Sequence, residues 1–125
     1  MTRGWMIPIL AAVATATALP ALAAPPAGDV ARGERLYAGR CGFCHSLDAN
    51  RFGPRHRGVY GRHAGAVPGF RYSKALASRD VTWNADTLDA WLADPKRFVP
   101  GTSMGARTAS AQDRADLIAY LRAHP

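Results

Sequence analysis

The sequence predicts a small all-α protein in which a few short helices are joined by long irregular segments. Three stretches after residue 28 space their apolar residues as helices do. The segments between them are rich in Gly, Pro and Arg, keep no sustained period, and contain no convincing strand pattern. A chain of 125 residues has room for one domain.

The composition narrows the class of protein further. Charged residues make up 20% of the chain and aromatic residues 9%, which excludes a disordered or low-complexity sequence. Two cysteines cannot build the disulfide scaffold of a small secreted protein. Large α/β enzyme folds need a longer chain than this one. We therefore expect one small domain that is stabilised by another feature in addition to its own hydrophobic core.

Residues 1–23 have the three-part pattern of a secretory signal peptide. A basic residue near the start precedes a mostly apolar run over residues 7–18, and Pro20 is followed by an A-x-A cleavage pattern. We expect cleavage after Ala23, or one residue later at Ala24. The alternative is a retained membrane anchor, but prolines interrupt the run and it is short for a hydrocarbon core of about 30 Å.

Export sets the expected location and chemistry of the remaining domain, residues 24–125. Cleavage removes one positive charge from the +7 of the whole chain. The two cysteines would then meet an oxidising compartment, the periplasm. No second long apolar segment follows residue 23, so we expect a soluble product without stable membrane insertion.

The first and last helices are predicted from their caps and apolar faces. The first covers Val30 to Arg40, with Asp29 as its cap. Gly33 lies on its apolar face, where a glycine costs helix stability but would let another helix approach closely. The last helix runs from about Ser110 to Ala123, with Ser110 as its cap and Asp113 three residues further on.

Two more helices are predicted between irregular segments. One is short, near Ser73 to Ser78, and the other runs from Asn84 to Ala93 and is stopped by Pro95. The segment from Ser46 to Phe70 is long for an unstructured loop in a compact domain, an objection that weakens if it wraps a buried cofactor. The segment from Lys96 to Ala109 is also expected to be irregular.

Both cysteines belong to one motif, Cys41-Gly42-Phe43-Cys44-His45, whose C-x-x-C-H spacing is typical of covalent haem attachment in exported proteins. The two thiols add across the haem vinyl groups, and the histidine supplies one axial ligand to the iron. A thioredoxin-type pair needs a βαβ surround, and a zinc site needs further ligand pairs that the sequence lacks. A disulfide across two residues would be strained. The motif therefore predicts one covalent haem.

The occupancy of the sixth coordination position of the haem iron determines what the protein does. An open position binds or activates small molecules, whereas a filled position leaves the iron to transfer electrons. The candidates for that position are Met104, His56, His63 and His124. Met104 stands after a Pro-Gly turn that could aim its thioether inward, but a lone methionine is just as often core filler. Spacing alone leaves this choice open.

An ordered set of residues gives the chain a resemblance to class I cytochrome c, in its mitochondrial and bacterial c2-like form, over nearly all of Gly28 to His124. The resemblance is more specific than the haem motif alone. The residues that carry it are Gly28-Asp29-Val30, Gly33, Tyr37, Cys41 to His45, Gly53-Pro54, Gly58, Gly61-Arg62, Gly69 to Ser73, Trp83, Leu88, Leu92, Pro95, Pro100 to Met104 and Asp116 to Leu121. It implies that fold, with three main helices, short helices and long loops wrapped around one covalent haem.

The resemblance also implies roles for individual residues. Met104 becomes the second iron ligand beside His45, and the carbonyl of Pro54 accepts a hydrogen bond from the His45 imidazole. Three residues match positions that hydrogen-bond or neutralise a haem propionate: Arg62, Tyr72 and Trp83. In addition, Gly33 and Tyr37 should pack the first helix across the last one, at Leu117 and Tyr120.

The chain departs from the family pattern near the predicted haem. His56 falls where a leucine is usual. Leu76 and Trp91 replace an amide and a tyrosine in the family's hydrogen-bond network beside the methionine ligand, while Thr102 is retained. The stretch after Met104 lacks the usual aromatic residue. We still expect Trp91 and Thr102 to border the haem. Because the hydrogen-bond network differs, the properties of the iron–sulfur bond are expected to differ from those usual in the family.

The resemblance implies an electron carrier and not an enzyme, with one-electron transfer through a His/Met-ligated haem in a respiratory or dehydrogenase-linked chain. The alternative is a peroxidase-like enzyme or small-ligand sensor with a labile Met104. A haem subunit of one dedicated dehydrogenase is a further possibility.

Charge indicates the kind of partner. A positive chain suits redox partners with acidic docking patches on a membrane oxidase, reductase or dehydrogenase. Because lysines are few, the docking is expected to fall to Arg62, Arg71, Arg79, Arg97 and Arg107. The charge is dispersed, so nucleic-acid binding has no support, and a monomer is expected.

Overall fold

The computed structural model of the chain describes Met1, Gly4 and residues 13–125. Its helices are α1 (Val30–Arg40), α2 (Lys74–Ala77), α3 (Ala85–Ala93), α4 (Pro95–Phe98) and α5 (Ala111–Arg122). Over these described residues there is no strand, only an isolated bridge between His63 and Thr82. The all-α prediction is confirmed. Of the predicted leader, residues 2–3 and 5–12 lie outside the described residues.

Helices α1 and α5 cross closely because α1 presents a glycine to its partner. A Cβ on Gly33 would overlap the carbonyl oxygen of Asp116 and lie 2.8 Å from the Cβ of Tyr120. One turn further along α1, the ring of Tyr37 lies 5.0 Å from that of Tyr120. Leu117 belongs to the same buried cluster as both tyrosines. The predicted contact between the first and last helices is confirmed.

A buried carboxylate fastens this helix crossing. Asp116 is 1% exposed and accepts hydrogen bonds from the Arg32 guanidinium (Nε, 2.8 Å), the backbone N–H of Asp29 (2.7 Å) and the Gln112 amide (3.0 Å). The hydrogen bond from Arg32 is the main reason that the pKa of Asp116 lies well below its usual value. The network ties the start of α1 to the middle of α5.

The helices begin directly after residues whose side chains cap them. The side chain of Asp29 accepts from the N–H of Arg32, and that of Ser110 accepts from the N–H of Asp113, so both predicted caps are confirmed. Asn84 and Thr87 form a reciprocal capping box at the start of α3.

The expectation that the chain is irregular from Lys96 onward is wrong for its first turn. Helix α3 ends at Ala93, as predicted, but Pro95 starts α4 and does not only stop α3. Proline is well suited to the first helical position, where its missing N–H has no partner to lose. Asp94 caps the new turn by accepting from the N–H of Arg97.

The core lies between α1, α3 and α5, and the loops of residues 41–73 and 99–110 close around one side of it. The buried apolar cluster consists of Tyr37, Val59, Ala64, Trp83, Leu88, Trp91, Leu92, Val99, Leu117, Tyr120 and Leu121. In the part of the chain that the structure describes, every helix is too short or too polar to cross a membrane.

Candidate functional site

A cavity of about 710 Å³ opens between the core and the loops. This volume lies within the range of ~300–1,000 Å³ that is usual for ligand and cofactor sites. All of the predicted site residues line it, namely Cys41, Cys44, His45, Pro54, Arg62, Tyr72, Trp83, Trp91, Thr102 and Met104. The fold therefore gathers at one site residues that are spread over 64 positions of sequence, from 41 to 104.

The C-x-x-C-H motif forms a tight turn at the end of α1. The carbonyl of Cys41 accepts hydrogen bonds from the N–H groups of Cys44 (3.0 Å) and His45 (2.8 Å). The turn keeps both cysteines and the histidine against one cavity wall. Burial raises the pKa of the Cys41 thiol to about 11, whereas Cys44 lies exposed at the rim.

The imidazole of His45 is oriented by the loop that follows it. Its Nδ1 lies 2.8 Å from the carbonyl oxygen of Pro54, so that nitrogen is the donor and Nε2 is left for another partner. This is the contact that was predicted for Pro54. Burial lowers the pKa of His45, which favours the neutral ring that metal binding requires.

Gly53 has a role that sequence reasoning missed. A Cβ at this position would overlap Cε1 of His45 and lie 2.6 Å from its Nε2. The backbone of Gly53 thus packs directly against the face of the imidazole at Cε1, which no other residue type allows. The sequence signal was a glycine directly before the proline whose carbonyl orients His45.

The four candidates for the sixth iron position differ in where they lie. Met104 and His56 line the cavity, whereas His63 and His124 do not. His63 is hydrogen-bonded to Asp80 (3.0 Å) on the surface, and His124 to the carbonyl oxygen of Tyr120 (2.7 Å).

His56 lies on the His45 side of the cavity. Its ring stacks on that of His45, with 4.0 Å between the ring centroids and 19° between the planes. Burial holds the pKa of His56 well below its usual value. A ring stacked face to face on one ligand is not placed to serve as the opposite one, so Met104 is the remaining candidate.

Met104 belongs to a segment, residues 99–109, whose backbone is held in place by hydrogen bonds to the rest of the protein. The N–H of Thr108 donates to Leu92 (2.8 Å), and the Arg114 guanidinium donates to the carbonyls of Thr108 (3.0 Å) and Ala109 (2.7 Å). Arg114 is itself held by Asp89 at 2.6 Å. These contacts join the segment to α3 and α5.

Part of the cavity wall is apolar and aromatic. Trp91 is 8% exposed, and its ring lies 5.3 Å from that of Trp83. Leu76 and the buried Thr102 also line this wall. The two replaced positions noted in the sequence therefore do border the cavity.

The cavity also has a polar part that is suited to an anion. The lining residues within the described chain include four arginines and no acidic residue; Arg40 and Arg107 are paired with Asp113 (2.9 Å) and Asp94 (3.2 Å), whereas Arg62 and Arg71 form no such ion pair among the described residues. Arg62 donates to the carbonyls of Arg57 (3.0 Å) and Arg55 (2.9 Å), and burial lowers its pKa because the charged form is poorly solvated there. The hydroxyl of Tyr72 accepts from the N–H of Val67 and keeps its own hydrogen to donate.

These features together fit a haem. Two cysteines, a neutral imidazole, a thioether and cationic side chains all line one cavity. Over the described residues, no three His, Cys, Asp or Glu side chains come together as a metal cluster would require.

Comparisons with known proteins agree with the site. Residues 30–125 match the family model described as Cytochrome c. Cytochrome c of Euglena viridis is 43% identical over 98 residues, covering 76% of this chain and 96% of that protein. Cytochrome c of Stellaria longipes is 40% identical over 99 residues, covering 76% and 92%. The solved structure of cytochrome cH from Methylobacterium extorquens is 41% identical, with a TM-score of 0.74, covering 77% of this chain and 99% of that one.

The fold and the site thus define a class I monohaem cytochrome, built of helices and loops around one cofactor cavity. The chain belongs to the cytochrome c family. It carries the covalent haem c of that family through Cys41 and Cys44, and its function is haem-based electron transfer. The predicted class I cytochrome c fold and the predicted cofactor are confirmed.

Proposed function

We propose that this protein is an exported electron carrier, and not an enzyme, whose haem iron is ligated by His45 and Met104. The observation that carries the proposal is that these two side chains line one cavity with both cysteines, while His63 and His124 lie elsewhere. The bound haem would supply the redox chemistry by gaining and losing one electron at its iron.

The residues around the iron position favour the reduced state. Burial favours the neutral ring of His45, its hydrogen bond to Pro54 orients that ring, and Met104 offers a neutral thioether. The buried Trp83 and Trp91 make part of the same cavity wall apolar. With two protein side chains on the iron, no position would be left open for a substrate, which supports a carrier.

The polar part of the cavity would hold the haem propionates. Arg62 keeps N–H groups beyond the two that it donates to backbone carbonyls, and Tyr72 keeps a hydroxyl hydrogen. We propose that both, with Trp83, bind and partly neutralise the propionates. An anion there would also relieve the unfavourable burial of the Arg62 charge.

The rim of the cavity is the face on which we propose that redox partners dock. Cys44 is exposed there, and Phe43 and Phe52, which are 80% and 82% exposed, stack with 14° between their rings. Because Arg40 and Arg107 are paired with aspartates, Arg62 and Arg71 give the lining its positive charge, which suits an acidic patch on an oxidase, reductase or dehydrogenase of a respiratory chain. Of the five arginines considered from the sequence, Arg79 and Arg97 do not line the cavity.

Position, and not only charge, should matter for this docking. A gold electrode coated with a carboxylate-terminated monolayer can stand in for the acidic partner. We expect Arg71→Gln to lower the salt concentration at which the protein desorbs more than Arg97→Gln does, since both variants lose one charge but only Arg71 borders the cavity. Equal effects would place the docking face elsewhere.

We further propose that residues 1–23 direct export to the periplasm and are removed there. N-terminal sequencing of the protein produced with its leader should begin at Ala24 or Pro25. A mature chain that still begins at Met1 would contradict export by cleavage.

The central test is the absorption spectrum of the oxidised and reduced protein, compared with Met104→Ala. We expect a low-spin spectrum with the weak far-red sulfur-to-iron band in the wild type, and loss of that band in the variant. Ser103→Ala is the matched control, because Ser103 also lines the cavity and carries no candidate ligand atom. An unchanged Met104→Ala spectrum would remove Met104 as the ligand.

The same preparations separate the carrier from the alternative with a labile ligand. The reduced wild type should be inert to carbon monoxide at neutral pH, whereas Met104→Ala should bind it rapidly. Rapid binding by the wild type would favour a ligand sensor or a peroxidase-like enzyme.

A further inference from the structure

The ring of His56 stacks on that of the proposed iron ligand His45. The two rings are nearly parallel, with 4.0 Å between their centroids. Its sequence neighbours Arg55 and Arg57 are exposed, yet the ring of His56 turns inward and lines the cavity. The side chain therefore takes up a specific inward position between two solvent-facing ones.

Independent contacts hold this ring in place. The hydroxyl of Tyr37 and Nδ1 of His56 are hydrogen-bonded at 3.0 Å, and Tyr37 is only 6% exposed, packed against α5. The backbone N–H of His56 donates to Ser46 (2.9 Å), and its carbonyl accepts from Val59 (2.8 Å). The stacked ring is thus anchored through Tyr37 to the crossing of α1 and α5.

The hydrogen bond to Pro54 alone leaves the plane of the His45 imidazole incompletely defined. It fixes the direction of Nδ1, but a carbonyl oxygen accepts over a broad range of angles, so the ring can still rotate about that bond. A second ring parallel to the first opposes this rotation. The backbone of Gly53 packs against the imidazole face at Cε1, and the parallel ring of His56 adds a second contact that defines the plane of the ring.

We propose that His56 is a positioning residue, which together with Tyr37 sets the plane of the His45 imidazole and so tunes the haem. The inference rests on the proposed ligation of the iron by His45. Groups hydrogen-bonded or packed around a metal ligand orient it and alter the electronic properties of the metal. In an oxidised low-spin haem, the direction of the axial imidazole plane governs how unpaired electron density spreads over the four ring methyl groups.

The test is the proton NMR spectrum of the oxidised holoprotein, read with its reduction potential. His56→Leu removes the stacked ring, His56→Phe keeps a stacked ring without the hydrogen bond, and Tyr37→Phe keeps every ring but removes the anchor. We expect His56→Leu to change the spread of the four haem-methyl shifts and to raise the potential, because a less polar neighbour disfavours the oxidised iron. His56→Phe and Tyr37→Phe both keep a stacked ring but lose the hydrogen bond that anchors it, so each should shift the methyl pattern partway, by less than His56→Leu does.

Arg32→Gln is the control for loss of stability, since it weakens the α1–α5 crossing at Asp116 and does not touch either histidine. It should lower the unfolding midpoint and leave the methyl shifts and the potential unchanged. Wild-type shifts and potential in His56→Leu would overturn the proposal, as would shifts in Arg32→Gln equal to those in His56→Leu. If His56→Leu yields no holoprotein, Tyr37→Phe decides, and an unshifted methyl pattern in that variant rejects the role.

Failure of the inference is distinguishable from failure of the proposed function. All variants keep Met104 and His45, so the far-red band should persist in each. A wild-type spectrum that already lacks the low-spin His/Met features would reject the proposed ligation, whatever the variants of His56 do.

Discussion

The two sides of the cavity hold their proposed ligands by different means. On the His45 side, the contacts reach the ring itself, through the Pro54 carbonyl, the stacked His56 and the backbone of Gly53. On the Met104 side, the contacts go to the backbone of residues 99–109, through Arg114 and Leu92. A substitution on the first side should therefore act on the ligand, and one on the second side on the segment that carries it.

The largest expected effect comes from Gly53→Ala, which tests the direct contacts of the His45 side. The new Cβ would overlap the imidazole, and Gly53 is held in place by backbone hydrogen bonds from its N–H to Cys44 (2.8 Å) and from the N–H of Arg51 to its carbonyl (2.9 Å). We expect little holoprotein, measured as haem per polypeptide after purification. Full haem incorporation with an unchanged spectrum would show that the ring has more freedom than the contacts indicate.

Asp116→Asn tests the helix crossing behind the His45 side, since α1 leads directly into Cys41. The pKa of Asp116 is depressed, so its ionised form stabilises the fold fully above the usual carboxyl pKa of about 3.9, and this stability is lost as the pH falls toward the lower folded-state value. We expect the variant to be markedly less stable than wild type at pH 5–7, with the difference shrinking below about pH 4. Urea unfolding at several pH values measures it, and a difference that does not depend on pH would contradict it.

Arg114→Met tests the indirect support of the Met104 side. The variant keeps much of the apolar stem but loses the hydrogen bonds to Thr108, Ala109 and Asp89. Hydrogen bonds to charged groups contribute about 1.5–3 kcal/mol, so the segment should open well before the whole protein unfolds. In a denaturant titration, the far-red band should disappear at a lower concentration than the helical circular dichroism.

The control for that experiment is Arg97→Gln, in α4 and outside the cavity lining. Its two transitions should stay as close together as those of the wild type. A single coincident transition in Arg114→Met would show that the two sides open as one unit.

The smallest effect is expected from Gly39→Ala, which serves as the counterpart of Gly53→Ala. Gly39 lies in α1, and a Cβ there would meet nothing within 4 Å. Replacing a helical glycine by alanine should raise the free energy of unfolding by about 0.5–1 kcal/mol. The two variants are compared by thermal unfolding and haem content. The comparison separates the loss of stability that any helical glycine causes from the close contact with His45 that only a glycine at position 53 allows.

The helix starts and the haem-attachment motif could be predicted from the sequence alone, because the interactions that define them are between residues close together in sequence. Asp29 and Ser110 cap helices three residues away, so the starts of α1 and α5 could be predicted to within one residue. The C-x-x-C-H motif is five residues long, and its chemistry follows from its spacing. The turn before Met104 already singled out that residue, although spacing could not choose it over three histidines.

Only the tertiary structure decided which of the remaining side chains meet at the cavity. His56 reaches His45 across 11 positions of sequence and Tyr37 across 19, through loops that have no period to read. The contact of Gly53 with the imidazole and the docking of Arg114 onto the Met104 segment likewise depend on how loops close over the core. Caps and covalent motifs are local and can be read from the chain, whereas contacts between distant loops exist only once hydrophobic burial has brought those loops together.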